Sequence, residues 1–120
     1  MTGKIDRREL KRQYLETKTR AGVYLIKNLE NGYWLLAGSK NVAAAINRHC
    51  FEMKTGKNAN RLMNEDWKTF GEAAFSCEVL DRVEYRDEDG FSVEDELASL
   101  VSLWREELAL DETLNYLRKL

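Results

Sequence analysis

His49 is the sole histidine in the 120 residues, and it is the side chain whose ordinary pKa best suits proton transfer at neutral pH. It could equally fill space beside a strand and hydrogen-bond a backbone group. Three tryptophans, Trp34, Trp67 and Trp104, offer π faces on which nucleic-acid bases could stack. Trp67 and Trp104 fall at helical apolar spacing and are expected in the core, whereas Trp34 is left open. Cys50 and Cys77 with His49 fall short of the roughly four ligands of a structural zinc site, and the cysteines are expected as two reduced thiols. The acids between residues 84 and 96 lack the ordered spacing of a calcium loop and read as a solvated loop.

Charge is spread unevenly over a net of −2. Residues 1–20 carry +4, residues 21–76 carry +2, and residues 77–120 carry −8. A basic front half could meet phosphate while the back half repels it, or the basic helices could simply be solvated. No apolar run approaches the roughly 20 residues of a membrane span, and the charged start Met1-Thr-Gly-Lys-Ile-Asp-Arg-Arg lacks the apolar segment of a secretory signal. The expectation is a cytoplasmic chain with no membrane partner.

The elements that must position these groups follow from hydrophobic periodicity. Residues 5–18 read as a short basic helix, and residues 21–27 (AGVYLIK) as a strand. Asn31-Gly32 is a hairpin signal, so residues 33–37 (YWLLA) form the returning strand, broken by Gly38 and Ser39. Asn41 can cap a helix from Val42 to about Met53. Residues 60–70 make a second helix with Leu62, Met63, Trp67 and Phe70 on its apolar side, residues 74–79 a third strand, and Ser92 opens a helix to about Leu108. In that last helix Leu97, Leu100, Val101, Trp104 and Leu108 form a buried stripe. The reading is an α+β fold: a small three-stranded, mostly antiparallel sheet flanked by helices, with residues 1–20 as an extra N-terminal helix and 21–120 as one domain.

Gly22-Val23-Tyr24, eleven residues, and then Leu36-Ala37-Gly38-Ser39 resemble the signature that names the GIY-YIG nucleases. The likeness extends to a helix ending in Arg48-His49, to Asn58-Ala-Asn60-Arg-Leu-Met, to the stretch from Trp67 through Gly71 and Phe75 to Leu80, and to Trp104 and Asn115. It covers about residues 21–116. What it implies is hydrolysis of a phosphodiester by water, using two tyrosines, an arginine, a glutamate that holds one divalent metal, and an asparagine. Carried over position by position, the first tyrosine is Tyr24 and the asparagine is Asn115. The second tyrosine falls on Leu36, the arginine on Ala45 and the metal-holding glutamate on Val101.

The resemblance therefore implies the fold while removing a phenol, a phosphate clamp and a metal ligand. One lost electrostatic donor alone is worth roughly 10²–10³ in rate. Arg48, about 4.5 Å further along the helix axis than Ala45, could swing a guanidinium back toward the same phosphate. Ser102 is a poor metal ligand, and Glu94 and Glu106 lie too far along their helix to replace the missing carboxylate. The expected protein binds nucleic acid, DNA in preference, without efficient cleavage. Tyr24, Arg48, His49 and Asn115 are its remnant or candidate catalytic residues, and Lys40, Arg48, Lys54, Lys57 and Arg61 its phosphate contacts. No cofactor is expected, or Mg²⁺ if activity survives. The alternatives are an active, divergent metal-dependent endonuclease and a protein-interaction module of a phage or mobile element.

Overall fold

Every residue from Ala21 to Ile26 is buried, and this unbroken run explains the architecture: a strand with both faces covered must lie at the centre of a layered structure. A computed structural model describes residues 18–118. Strand β1 (Lys18–Asn28) pairs with β2 (Trp34–Ser39) on one side and β3 (Phe75–Glu84) on the other, in the order β2-β1-β3. Both pairings are antiparallel.

Alternation along the strands sends Tyr24, Ile26 and Leu35 into a core with Val42, Met53, Met63 and Tyr116. Those partners belong to helices α1 (Val42–Lys54) and α2 (Arg61–Phe70) and to the C-terminal segment. The opposite face carries Val23, Leu25, Trp34 and Leu36, which pack against Leu100, Val101 and Trp104 of α3 (Val93–Leu108). Asparagine and serine side chains start each of the described α-helices: Asn41 accepts from the Ala44 amide, Asn60 from Met63 and Ser92 from Asp95.

The fold class, the antiparallel hairpin and the order of described elements agree with the sequence reading, and several details do not. Strand β2 continues through Gly38 and Ser39, which pair with Val23 and Gly22. Gly38 does not break the strand because it makes room for α3: a Cβ there would lie 3.3 Å from both Leu97 and Val101 side-chain carbons. Strand β3 runs five residues past the expected end at Val79, to Glu84. Its charged residues look like a loop in the sequence, yet an edge strand can turn them to solvent while its backbone still pairs. A bulge in the β1–β3 ladder between Val23 and Tyr24 accompanies this extension, and beside it Gly22 lies so close to the Asp81 carbonyl that any Cβ would collide with it. Of the four apolar residues expected to line α2, Leu62 and Phe70 are exposed and Met63 and Trp67 turn inward. The helix expected over residues 5–18 lies outside the described residues except for Lys18, which already belongs to β1.

One polar knot on the α1–α2 side was not visible in the sequence. The buried Asp66 carboxylate accepts from Tyr116 Oη at 2.7 Å, Asn31 Nδ2 at 3.0 Å and Asn28 Nδ2 at 3.5 Å. A buried carboxylate without a cation is tolerable only when donors surround it in this way. The knot ties the β1–β2 turn, α2 and the C-terminal segment together.

Candidate functional site

Where β1 and the end of β2 meet α1, the surface opens into a cleft of about 570 Å³. Tyr24 contributes from the central strand, Ser39, Lys40 and Asn41 from the β2–α1 junction, Ala45, Arg48, His49 and Glu52 from one side of α1, and Asn58 from the loop before α2. Positions 45, 48, 49 and 52 share a helix face because they are three or four residues apart. That spacing is what brings them to one wall.

At the base of the cleft lies a short hydrogen-bonded chain. Tyr24 Oη is 3.0 Å from His49 Nε2, and His49 Nδ1 is 3.0 Å from Asn58 Nδ2. The direction of these bonds can be worked out from the far end. Asn58 Oδ1 accepts from the Asn60 backbone N–H at 2.9 Å, so the Asn58 amide must turn its NH₂ toward His49. The Asn58 backbone is held in turn by Asn64, whose amide accepts from Asn58 N–H at 3.2 Å and donates to the Asn58 carbonyl at 2.7 Å. An NH₂ group can only donate, so His49 Nδ1 is an acceptor and the ring proton sits on Nε2. Nε2–H then donates to Tyr24 Oη, which leaves the phenol's own hydrogen for an acceptor entering the cleft.

Electrostatics agree with this assignment. Burial pulls the His49 pKa below the ordinary histidine value, with Glu52 opposing and Arg48 assisting. Burial pushes Tyr24 above the ordinary phenol range, partly offset by Arg48. The imidazole is therefore neutral and the phenol protonated at neutral pH, and both imidazole nitrogens are engaged. A protonated His49 would face the Asn58 NH₂ donor to donor.

Two outcomes follow for His49. The unfolded chain binds a proton near pH 6.5 and the folded chain resists it, so this group's contribution to stability is present above that pH and is lost as the pH falls below it. Asn58→Asp replaces the donor with an acceptor and should move the ring proton to Nδ1 and raise the His49 pKa. Imidazole ¹⁵N shifts across a pH titration check both points, and an unchanged tautomer in Asn58→Asp would contradict the assignment.

The cleft also holds cations. Arg48 and Lys40 are 79% and 70% exposed. Each has an acidic neighbour: Arg48 Nε lies 3.6 Å from Glu52, and Lys40 Nζ pairs with Glu94, whose carboxyl this bond holds below its usual range. Exposed pairs of this kind contribute only about 0–1 kcal/mol, so a phosphate can exchange for either carboxylate.

No protein-family model and no curated protein matches the sequence. Among solved structures, the catalytic domain of homing endonuclease I-TevI superposes with a TM-score of 0.62 at 21% identity, covering 82% of this chain and 99% of that one. A mutant of the same intron endonuclease domain gives a TM-score of 0.57 at 22% identity, with 77% and 84% covered. This chain has the GIY-YIG nuclease fold.

Within the GIY-YIG fold, the residues singled out from the sequence do not all converge. Tyr24, Lys40, Arg48 and His49 line the cleft together. Lys57 and Arg61 are exposed but do not line the cleft, although they lie one and three residues from Asn58 in the sequence. Lys54 lies in a separate hollow with Trp67 and Lys68, and its Nζ is 3.5 Å from Glu72. Asn115 does not line the cleft. It bridges to Trp34, accepts from the Leu117 amide at 2.9 Å and belongs to a hollow with Arg105, Glu112 and Arg118. Of the replaced positions, Ala45 lines the cleft. Leu36 and Val101 pack together on the α3 side of the sheet, the face opposite Tyr24, whose partner across the ladder is Ala37.

Sequence reasoning missed Asn58, Glu52 and Ser39 in the cleft. The run of asparagines at 58, 60 and 64 was the available signal for the first. A divalent metal needs oxygen donors gathered at one point, but among the described residues Glu52 is the one carboxylate lining the cleft and it faces Arg48. Among the described residues no group of three or more His, Cys, Asp or Glu is placed to hold a metal ion. This donor set does not fit the metal that the resemblance calls for. No helix among the described residues is long and apolar enough to cross a membrane.

Proposed function

We propose that this GIY-YIG-fold protein binds nucleic acid, DNA in preference, through the Tyr24–Arg48–His49 cleft and does not cut it efficiently. The observation that carries the reading is the combination of an open cleft, two exchangeable cations and a phenol held as a hydrogen-bond donor, with no cluster of metal-holding acids among the described residues. A phosphate seated there meets Arg48 and Lys40 by charge and Tyr24 by hydrogen bond. Lys57 and Arg61 extend the positive edge toward a neighbouring phosphate. The chemistry for hydrolysis is incomplete: Ala45 supplies no clamp, and His49 has both nitrogens occupied.

Arg48 supports a second reading, a divergent endonuclease, because its guanidinium shares the cleft with Tyr24. Binding to duplex DNA across a salt series tests the first reading. The logarithm of the affinity should fall linearly with log salt, with a slope of about −0.9 per phosphate contacted. No binding at low salt would leave the fold with a different task, such as contact with another protein.

A further inference from the structure

We infer that Cys50 and Cys77 form an oxidisable dithiol site that can close into a disulfide between the cleft helix and the edge of the sheet. The cysteines are 27 positions apart in the sequence and sit on different elements, Cys50 on α1 and Cys77 on β3. The fold brings their sulfurs to 4.0 Å. Both are free thiols, Cys50 partly accessible and Cys77 exposed, so a small oxidant reaches them without unfolding the chain. A disulfide needs sulfurs about 2 Å apart, a gap that small side-chain movements on an exposed strand and a helix surface can close.

With a low-molecular-weight disulfide as oxidant, the atoms balance in two steps. The thiolate of Cys50 attacks one sulfur of the reagent, forms a mixed disulfide and releases one thiolate. The thiolate of Cys77 then attacks the Cys50 sulfur, forms the internal bond and releases the second. The two protons lost by the protein thiols go to the released thiolates, so two protein thiols are oxidised and one reagent disulfide is reduced to two thiols. Cys77 is pushed up to about 12, first by partial burial and then by the neighbouring Cys50, so closure quickens as the pH rises. Cys50 follows His49 directly, and the bond would pin the helix that carries Arg48 and His49 to β3.

The test is incubation of the intact chain with glutathione disulfide at mildly alkaline pH, with and without denaturing urea, followed by mass spectrometry and thermal melting. The expected product is a monomer lighter by about 2 Da, formed faster in the folded chain than in urea. Its Tm should rise by about 5 °C or more, and dithiothreitol should reverse the rise. Cys77→Ser should instead stop at one glutathione adduct on Cys50. Stable adducts on both cysteines of the folded chain, or closure no faster folded than unfolded, would overturn the site.

Discussion

Trp34→Ala should leave the chain largely unfolded at urea concentrations where the parent is intact. Trp34 is 2% exposed in the core beneath α3, and truncating a buried tryptophan costs about 3–5 kcal/mol. Small domains have only about 5–15 kcal/mol in total. The loss is aggravated because Trp34 also anchors the end of the chain. Its indole N–H donates to the Asp111 carbonyl at 2.8 Å, and its own carbonyl accepts from the Tyr116 amide at 2.8 Å. The Arg105 guanidinium lies 5.9 Å from the ring centroid, adding a partly exposed cation–π contact.

Trp34→Phe separates these contributions. It keeps most of the burial but leaves the Asp111 carbonyl without the indole donor, at a cost of about 1–2 kcal/mol. Urea midpoints rank the three proteins. Trp34 is the tryptophan whose role the sequence left open, and this series decides it. If Trp34→Ala melted normally yet lost DNA binding, the ring would be a base-stacking platform rather than core.

The second large effect is on binding. Lys40→Ala combined with Arg48→Ala should weaken DNA binding by at least about tenfold at moderate salt and reduce the salt slope by about two. The fold should tolerate the change: both side chains are mainly exposed, and each loses one surface ion pair worth about 0–1 kcal/mol. Lys54→Ala is the comparison. Lys54 sits in a different hollow beside Glu72, so its loss should leave the slope unchanged. An equal effect from Lys54 would mean that the contact surface is diffuse and not centred on the cleft.

Much of the fold was legible because its signals are local. The apolar run around Val23, the Asn31-Gly32 turn, the Asn41 cap and the Leu97–Trp104 stripe each depend on residues close in sequence. The extension of β3 was not legible, since Asp81, Arg82 and Glu84 look like loop residues until β1 is there to pair with them. The site was less legible still. Asn58 gains its role only when the fold brings it against His49, and Cys50 meets Cys77 across 27 positions without any paired-cysteine motif. Asn115 entered the reading through the GIY-YIG resemblance, but a backbone bridge to Trp34 holds it away from the cleft. Resemblance placed Leu36 and Val101 at reactive positions, but Leu36 packs against α3 and Val101 is one of the α3 residues that cover that face of the sheet.

The most direct measurement is conversion of supercoiled plasmid to nicked circles over a series of Mg²⁺ and Mn²⁺ concentrations, with DNA binding verified in the same samples. Bound plasmid should stay supercoiled at every metal concentration, in the parent chain and in Arg48→Ala alike. Metal-dependent nicking at low protein concentration that disappears in Arg48→Ala or Tyr24→Phe would contradict it and make this GIY-YIG fold an active nuclease.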